Sequence, residues 1–251
     1  QQSFTYNKTM LYENGILEQG ERIENDWTWE DFKAISEQLK KFDENDGETQ
    51  VQIGASMPLY WSPYFSSFFG AYGGKWCDTE NKKIHLHDDP LVLKGIEELI
   101  NAVDNGYIYP IGTTLGSEMA KRLSGINTNN RASGGVCFSH QTSYSMLTDS
   151  ASQYLSSNVD WDVAPYFLFD YKASPCGTLG FGVYSFTRNR DAAAALVLSL
   201  YTVEGQLAIH GQQGGDVPVI KELGDQDFWH LTAEGYEDKN YEAFTANYDR
   251  Y

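Results

Sequence analysis

Two stretches of the sequence combine flat rings with hydrogen-bonding side chains. Tyr60, Trp61 and Tyr64 surround Ser62 and Pro63 at the end of an apolar run, and Ser139, His140, Gln141, Thr142, Ser143 and Tyr144 follow another. Sugar rings present C–H faces that pack on Tyr and Trp, while their hydroxyls need Asn, Gln, Asp or His partners, so both stretches suit a carbohydrate site. The first suits an ordinary core equally well. The second carries more chemistry, because polar-capable side chains directly follow a predicted buried strand, and α/β proteins hold ligands beyond the carboxyl ends of their strands.

Other constellations are weaker. Asp43, Glu44, Asn45, Asp46 and Gly47 resemble the start of a calcium loop, but the glycine falls one place early and the terminal bidentate acid is missing, so a solvated helix end is the preferred reading. His85 and His87 alternate on a predicted strand and would offer two metal ligands on one face, with no Cys or third His near in sequence. Asp160 and Asp162 flank Trp161, whereas acid–base catalysis needs two acids placed across a substrate. No GxSxG, Walker, GxGxxG or HExxH signature occurs, and none of Cys77, Cys137 and Cys176 has a helpful His beside it. The sequence therefore points to no catalytic residue, no metal centre and no cofactor.

The elements that must position the two ring-bearing stretches read as alternating strands and helices. Strands are expected over 3–6, 51–55, 136–139, 163–166 and 181–187. A short helix from Lys8 to Glu13 stops at Asn14-Gly15, where glycine tolerates a left-handed cap. Thr28 stands three residues before Asp31, a capping-box start for a helix carrying Phe32, Ile35, Leu39 and Phe42. A helix over 63–69 would bury some of its rings. Asp89-Pro90 opens another helix whose apolar face is Val92, Ile96, Leu99, Ile100 and Val103. Residues 191–201 form a nearly apolar helix, expected to be sandwiched inside a lobe. The helices begun at Thr28 and Pro90 should share one parallel-rich sheet with the strands at Val51 and Val136.

Composition narrows the classes. The chain has 35 acidic against 18 basic residues, a formal charge of −17, which repels phosphate backbones and anionic membranes and excludes nucleic acid as a partner. Aromatics reach 14%, with 17 Tyr, so the chain folds rather than staying disordered. No apolar run approaches the ~18 residues that span a bilayer. Three cysteines without a CxxC pair argue against a disulfide scaffold or zinc knuckle. Cys137 and Cys176 could bridge if their strands are neighbours, leaving Cys77 unpaired. The start at Gln1, without initiator Met or signal peptide, fits a fragment of something longer.

Seven motifs occur in a definite order: Tyr6-Asn7-Lys8 with Asn14-Gly15; Trp27-Thr28-Trp29-Glu30-Asp31-Phe32; Phe69-Gly70-Ala71-Tyr72-Gly73-Gly74; the Pro90 helix; Gly134-Gly135-Val136-Cys137-Phe138; Trp161-Asp162-Val163-Ala164-Pro165; and Gly180-Phe181-Gly182-Val183 before an Ala-rich helix. In that order, from Phe4 to about Leu223, the chain resembles the extracellular solute-binding proteins of bacterial carbohydrate ABC importers, the maltose-binding-protein-like family.

The resemblance implies a periplasmic-binding-protein-like α/β fold of two lobes, with mainly the second lobe present. Residues 1–177 would be that lobe, 178–221 a segment returning to the first lobe, and 222–251 a truncated helical segment recrossing to the second. It implies a non-enzymatic receptor, a monomer, whose partners are a carbohydrate, the ABC transporter permease subunits and the missing first-lobe residues of the same protein. Its location would be the extracellular face of the membrane, lipid-anchored, or the periplasm. The expected ligand-binding residues are Trp61, His140, Gln141 and Tyr144, with Tyr60 and Tyr64 beside them. Members often place Gly and then Trp after the strand that matches 136–139; here His140, Gln141 and Thr142 stand there, and Tyr144 is the expected substitute for that ring. The rival from another class is a secreted glycoside hydrolase or its accessory module, which would show carboxylates facing across a cleft at about 5 to 10 Å. Peptides and polyamines are alternative ligands, and a carboxylate-lined pocket would favour a polyamine.

Overall fold

The computed structural model describes residues 2–141, 147–175, 180–211, 216–230 and 234–247. In chain order the elements are β1 (Ser3–Asn7), α1 (Lys8–Glu13), α2 (Trp29–Leu39), β2 (Lys41–Phe42), β3 (Gln50–Met57), α3 (Ser62–Gly70), β4 (Cys77–Asp78), β5 (Lys83–Ile84), α4 (Pro90–Asp104), β6 (Ile108–Pro110), α5 (Ser117–Arg122), β7 (Val136–Gln141), α6 (Leu147–Ser156), β8 (Trp161–Pro165), α7 (Arg190–Ser199), α8 (Val203–His210) and α9 (Lys221–Gly224).

Helix starts follow the local signals. At α2 the Thr28 hydroxyl accepts the Asp31 amide at 3.2 Å and the Asp31 carboxylate accepts the Thr28 amide at 2.8 Å, closing a capping box. At α4 the Asp89 carboxylate accepts the amides of Leu91 and Val92 at 2.8 and 3.3 Å, with Pro90 in the first turn. Gly15, at φ +67°, ends the turn after α1 in the left-handed region.

The main sheet runs β2-β3-β7-β1-β8, and β6 joins the β2 side of β3 at its far end. β3 pairs in parallel with β6 and β7, whereas β1 pairs antiparallel with both β7 and β8. The sheet is thus mixed rather than parallel-rich, because β1 enters between β7 and β8 from the opposite end. One consequence matters for function. β3, β6, β7 and β8 all run the same way, so Met57, Pro110, Gln141 and Pro165 end on one edge, beside the beginning of β1. Phe4 pairs with His140, and Ser3 with Gln141.

All of β1 is buried because both faces of the sheet are covered. One face packs Phe4, Tyr6, Ala55, Met57 and Phe138 under α2, α3 and the aromatic group Trp27, Trp29, Phe32, Phe68 and Phe167. α4 lies close against α3: a Cβ on Gly95 would meet the Phe68 carbonyl oxygen at 1.8 Å. The other face packs Val163, Trp161 and Ala132 against Leu147, Ala151 and Tyr154 of α6 and against Trp229, Tyr236, Tyr241 and Phe244 near the carboxyl terminus.

Several expectations are corrected. Residues 181–187 form no strand, and α7 has no buried residue: Leu196 and Leu198 are 64% and 69% exposed. The apolar pattern is there, but among the described residues no surface packs over it. No single described helix is long and apolar enough to cross a membrane; α7 and α8 pass that test only together, and they bend by 73° between them. The 43–47 segment is the loop of the β2–β3 hairpin, not a helix end. Its acids bond their own backbone, with Asp43 accepting the Asn45 amide and Asp46 those of Glu48 and Thr49. β5 stops at Ile84, so His85 and His87 share no strand, and His85 pairs with Asp88 at 2.9 Å instead. Cys77 and Cys137 carry free thiols, so Cys137 is not bridged; Cys176 lies outside the described residues.

Candidate functional site

The strand-end edge is where two ring-bearing segments meet. After β3 the backbone turns, with the Leu59 amide bonded to Met57 O and the Trp61 amide to Pro58 O, both at 3.0 Å. Trp61 then occupies the N-cap of α3, with proline in the first turn fixing the exit. Its half-buried ring lies 5.8 Å from Tyr64. Tyr64 in turn stands edge-on to His140 at 6.2 Å and 87°, on the far side of the β3–β7 junction. Trp61, Tyr64 and His140 therefore form one continuous path along the carboxyl ends of β3 and β7.

Their exposures differ. Tyr60 is 68% exposed and lies over the loop after β6, so close to Gly112 that a Cβ there would meet its ring at 2.3 Å. Tyr64 is fully buried, and its hydroxyl donates to Gln2 Oε1 at 3.3 Å. Burial also pushes the Tyr64 phenol well above its ordinary pKa. Tyr60 and Trp61 thus present ring surface, while Tyr64 supports them from below. Gln141 ends β7 opposite Ser3. The side chain of Gln141, and Tyr144 as a whole, lie outside the described residues.

Sequence reasoning missed Arg131. Its backbone amide donates to Gln153 Oε1 at 2.6 Å, and its side chain reaches the face of the sheet that α6 covers. There Nη1 donates to Thr5 Oγ1 at 2.8 Å and to the His140 carbonyl at 3.3 Å. The one available signal was a lone arginine between polar turn residues and an apolar strand, a pattern with no chemistry of its own.

Burial, the Arg131 cation and a bond to the Ser56 carbonyl act on the His140 ring, and the first two dominate, lowering its pKa to about 4. His140 Nδ1 is enclosed and unbonded. At neutral pH the ring is therefore uncharged. In the unfolded chain it titrates near 6.5, so between 6.5 and 4 the unfolded state binds the extra proton and stability falls as pH falls. Lowering pH from 7 to 5 should cost the wild type about 1–2 kcal/mol more than His140→Gln. Urea titrations of both at the two pH values measure this, and equal pH dependence would refute the assignment.

Asp160 and Asp162, which flank Trp161 in sequence, are otherwise engaged. Asp160 meets Lys8 at 3.7 Å and the Tyr12 hydroxyl at 3.0 Å. Asp162 is buried and accepts the amides of Asn240 and Val163 at 2.7 and 2.8 Å. Two surface hollows lie away from the strand ends. The larger, about 750 Å³, is bounded by β4, β5 and the start of α4, with Lys75, Asp78, His85, Asp88 and Asp89 in its wall. Its carboxylates cap α4, bind His85 or hold their own turn, which leaves it poor in groups for a ligand. The smaller, about 220 Å³, lies between Asp26, Trp29, Tyr72 and Phe169. Among the described residues no group of three or more His, Cys, Asp or Glu side chains could hold a metal ion.

Known proteins place this architecture. A family model described as bacterial extracellular solute-binding protein matches residues 1–242. No curated protein matches the sequence. Among solved structures the chain is similar to an ABC substrate-binding protein from Listeria monocytogenes in complex with cycloalternan, with 17% identity and a TM-score of 0.57 over 97% of this chain and 56% of that one. It is also similar to a sugar transporter from Rhizobium etli in an open conformation, at 15% identity and TM-score 0.56 over 97% and 57% of the two chains. A third is the maltose/maltodextrin-binding domain from Bdellovibrio bacteriovorus bound to maltotriose, at 14% identity and TM-score 0.55 over 91% and 54%. At these identities the likeness is one of fold, and the chain spans little more than half the length of each. The chain carries part of a periplasmic-binding-protein-like α/β fold and belongs to the bacterial extracellular solute-binding proteins.

Proposed function

We propose that this chain is the larger part of a receptor that captures a sugar or oligosaccharide in a cleft between two lobes and hands it to the permease subunits of an ABC importer. The observation that carries this reading is the path of Trp61, Tyr64 and His140 along the carboxyl ends of β3 and β7, flanked by the exposed Tyr60. Ring surface edged by hydrogen-bonding groups is what a sugar's C–H faces and hydroxyls require. Gln141 and Tyr144 belong to the same segment and complete the proposed ligand set. Two of the similar proteins were solved with oligosaccharides, cycloalternan and maltotriose, in agreement with this class of ligand.

In the proposed division, residues 1–177 are the second lobe, 178–221 cross to the first, and 222–251 return. The packing of Trp229, Tyr236, Tyr241 and Phe244 on α6 supports the return. The exposed apolar side of α7 supports the crossing, because first-lobe residues of the same protein would cover it. The receptor acts as a monomer on the extracellular face of the membrane, held by a lipid anchor, or in the periplasm. It breaks no bond. Ligand bridges the lobes and favours the closed form only by its differential affinity for that form. A hydrolase has less support, since Asp160 and Asp162 are committed to Lys8, Tyr12 and backbone amides rather than to each other.

Calorimetry on the full-length protein tests the reading, with cycloalternan and maltotriose as first probes and a glycan array to widen the search. Trp61→Ala and Tyr144→Ala should each weaken binding of the sugar by about tenfold to a hundredfold, the loss of a stacking ring worth about 1 to 3 kcal/mol. Thermal melting controls for folding. Unchanged affinity in two normally melting variants would reassign these rings to the core or the surface.

A further inference from the structure

Tyr60 is 68% exposed, yet its ring is seated rather than loose. A Cβ on Gly112 would stand 2.9 and 3.1 Å from Tyr60 Cε1 and Cγ and closer still to Cδ1, so the ring rests on the bare backbone of the loop after β6. The two turns that bring ring and glycine together hang on one atom. The Met57 carbonyl accepts the Leu59 amide at 3.0 Å and the Ile111 amide at 2.8 Å, and Thr113 Oγ1 donates to the Pro110 carbonyl at 2.7 Å to close the second turn. The seat is therefore fixed to the end of β3.

Burial does not account for it, because most of Tyr60 stays in water. Nor does the backbone of the loop. Gly112 has φ +74°, a left-handed conformation that asparagine also tolerates, so the turn alone could carry a Cβ at this position and only the Tyr60 ring forbids one. Placement then gives the ring its use. β6 and β7 flank β3 on opposite sides, since Ala55 pairs with Ile108 of one and Phe138 of the other. Tyr60 lies over the exit of β6, whereas the Trp61–Tyr64–His140 path leads from β3 to β7. The strand-end edge thus offers ring surface on both sides of β3, across two strand spacings or on the order of 10 Å. One pyranose ring does not cover both.

We propose that Gly112 is a positioning residue: by lacking a Cβ it holds Tyr60 over β6 as a second ring platform, so that the site takes a sugar of at least two units, one on Trp61 and the next on Tyr60. The inference rests on the carbohydrate reading above and adds the length of the ligand to it. With a Cβ at position 112 the Tyr60 ring swings off its seat, and the sugar unit above it loses its partner while the unit on Trp61 keeps its own.

The test is calorimetry on the full-length protein with glucose, maltose and maltotriose, or with the mono-, di- and trisaccharide of whichever sugar a glycan array selects. The variants are Tyr60→Ala, Gly112→Asn and the two combined; asparagine keeps the left-handed turn and supplies the Cβ. The wild type should bind the disaccharide more tightly than the monosaccharide. Each single variant should weaken the disaccharide by about tenfold, the loss of one stacking ring, and leave the monosaccharide unchanged. The combined variant should bind as Tyr60→Ala does, because Gly112→Asn acts only through that ring. Equal losses for every sugar length overturn the second platform. A loss in Gly112→Asn that adds in full to that of Tyr60→Ala, or no loss at all, overturns the positioning role. If Gly112→Asn does not fold, the length profile of Tyr60→Ala decides alone. A wild type that binds the monosaccharide as tightly as the longer sugars overturns the proposal and leaves the carbohydrate receptor standing. Binding of no sugar overturns both.

Discussion

Trp27→Ala should destabilise the protein by about 3–5 kcal/mol, the range for deleting a large aromatic from a packed core. Trp27 is 5% exposed and stacks on Phe138 at 5.0 Å, with Phe4, Phe32 and Phe167 edge-on around it at 6.2, 6.2 and 5.9 Å. Its indole N–H donates to the Pro165 carbonyl at 2.9 Å, and its own carbonyl accepts the Leu168 amide at 2.9 Å. One side chain therefore joins the central strands to the exit of β8. Alanine leaves a cavity among rings held by one another and an unbonded carbonyl at Pro165. Trp27→Phe, which keeps most of the volume and loses the hydrogen bond, should cost only about 1–2 kcal/mol. Urea unfolding followed by circular dichroism measures both, and a loss below about 1 kcal/mol for alanine would mean that the aromatic cluster repacks freely.

Asp162→Ala should cost about 2–4 kcal/mol, since it strands two buried donors and removes the partner of a cation. The carboxylate accepts the Asn240 and Val163 amides at 2.7 and 2.8 Å and faces Arg22 Nε at 3.7 Å. Asn240 also donates from its side chain to Asn25 Oδ1 at 2.8 Å, and Arg22 Nη2 donates to the Asp238 carbonyl at 3.2 Å. Asp162 is thus the buried clasp between β8, the 22–25 segment and the 234–247 segment. The variant should release the carboxyl-terminal segment to protease before the sheet unfolds. Asp162→Asn keeps an acceptor and should lose less. Burial raises the Asp162 carboxyl above its ordinary pKa, so at this group falling pH favours the folded state, opposite in sign to His140. A protease pattern identical to the wild type would show that the clasp does not hold the terminus.

The elements were legible where their causes are local. Thr28 with Asp31, Asp89 with Pro90, and Asn14 with Gly15 act within a few residues, so their helices start or stop where the sequence places them. The nearness of Trp61 and His140 was also readable, because both follow apolar strands and parallel strands of one sheet end together. The direction of β1 was not, since nothing in Phe4 and Tyr6 records which neighbours they face. Nor does the sequence distinguish Tyr60, with its ring in solvent, from Tyr64, with its ring in the core, four positions apart in one aromatic run.

By itself, then, the sequence determined the alternation of strands and helices, the caps that bound them and the acidity of the chain. Those follow from side-chain volume, backbone preference and charge, which each residue carries with it. Tertiary structure alone decided that 181–187 is no strand and that α7 is left uncovered by the described residues, because an apolar face specifies a need for a partner without supplying one. It alone decided that Asp162 is a clasp and that Arg131 has no carboxylate beside it among the described residues. The charge state and worth of a side chain depend on what the fold brings within a few ångströms of it, and that distance is written nowhere along the chain.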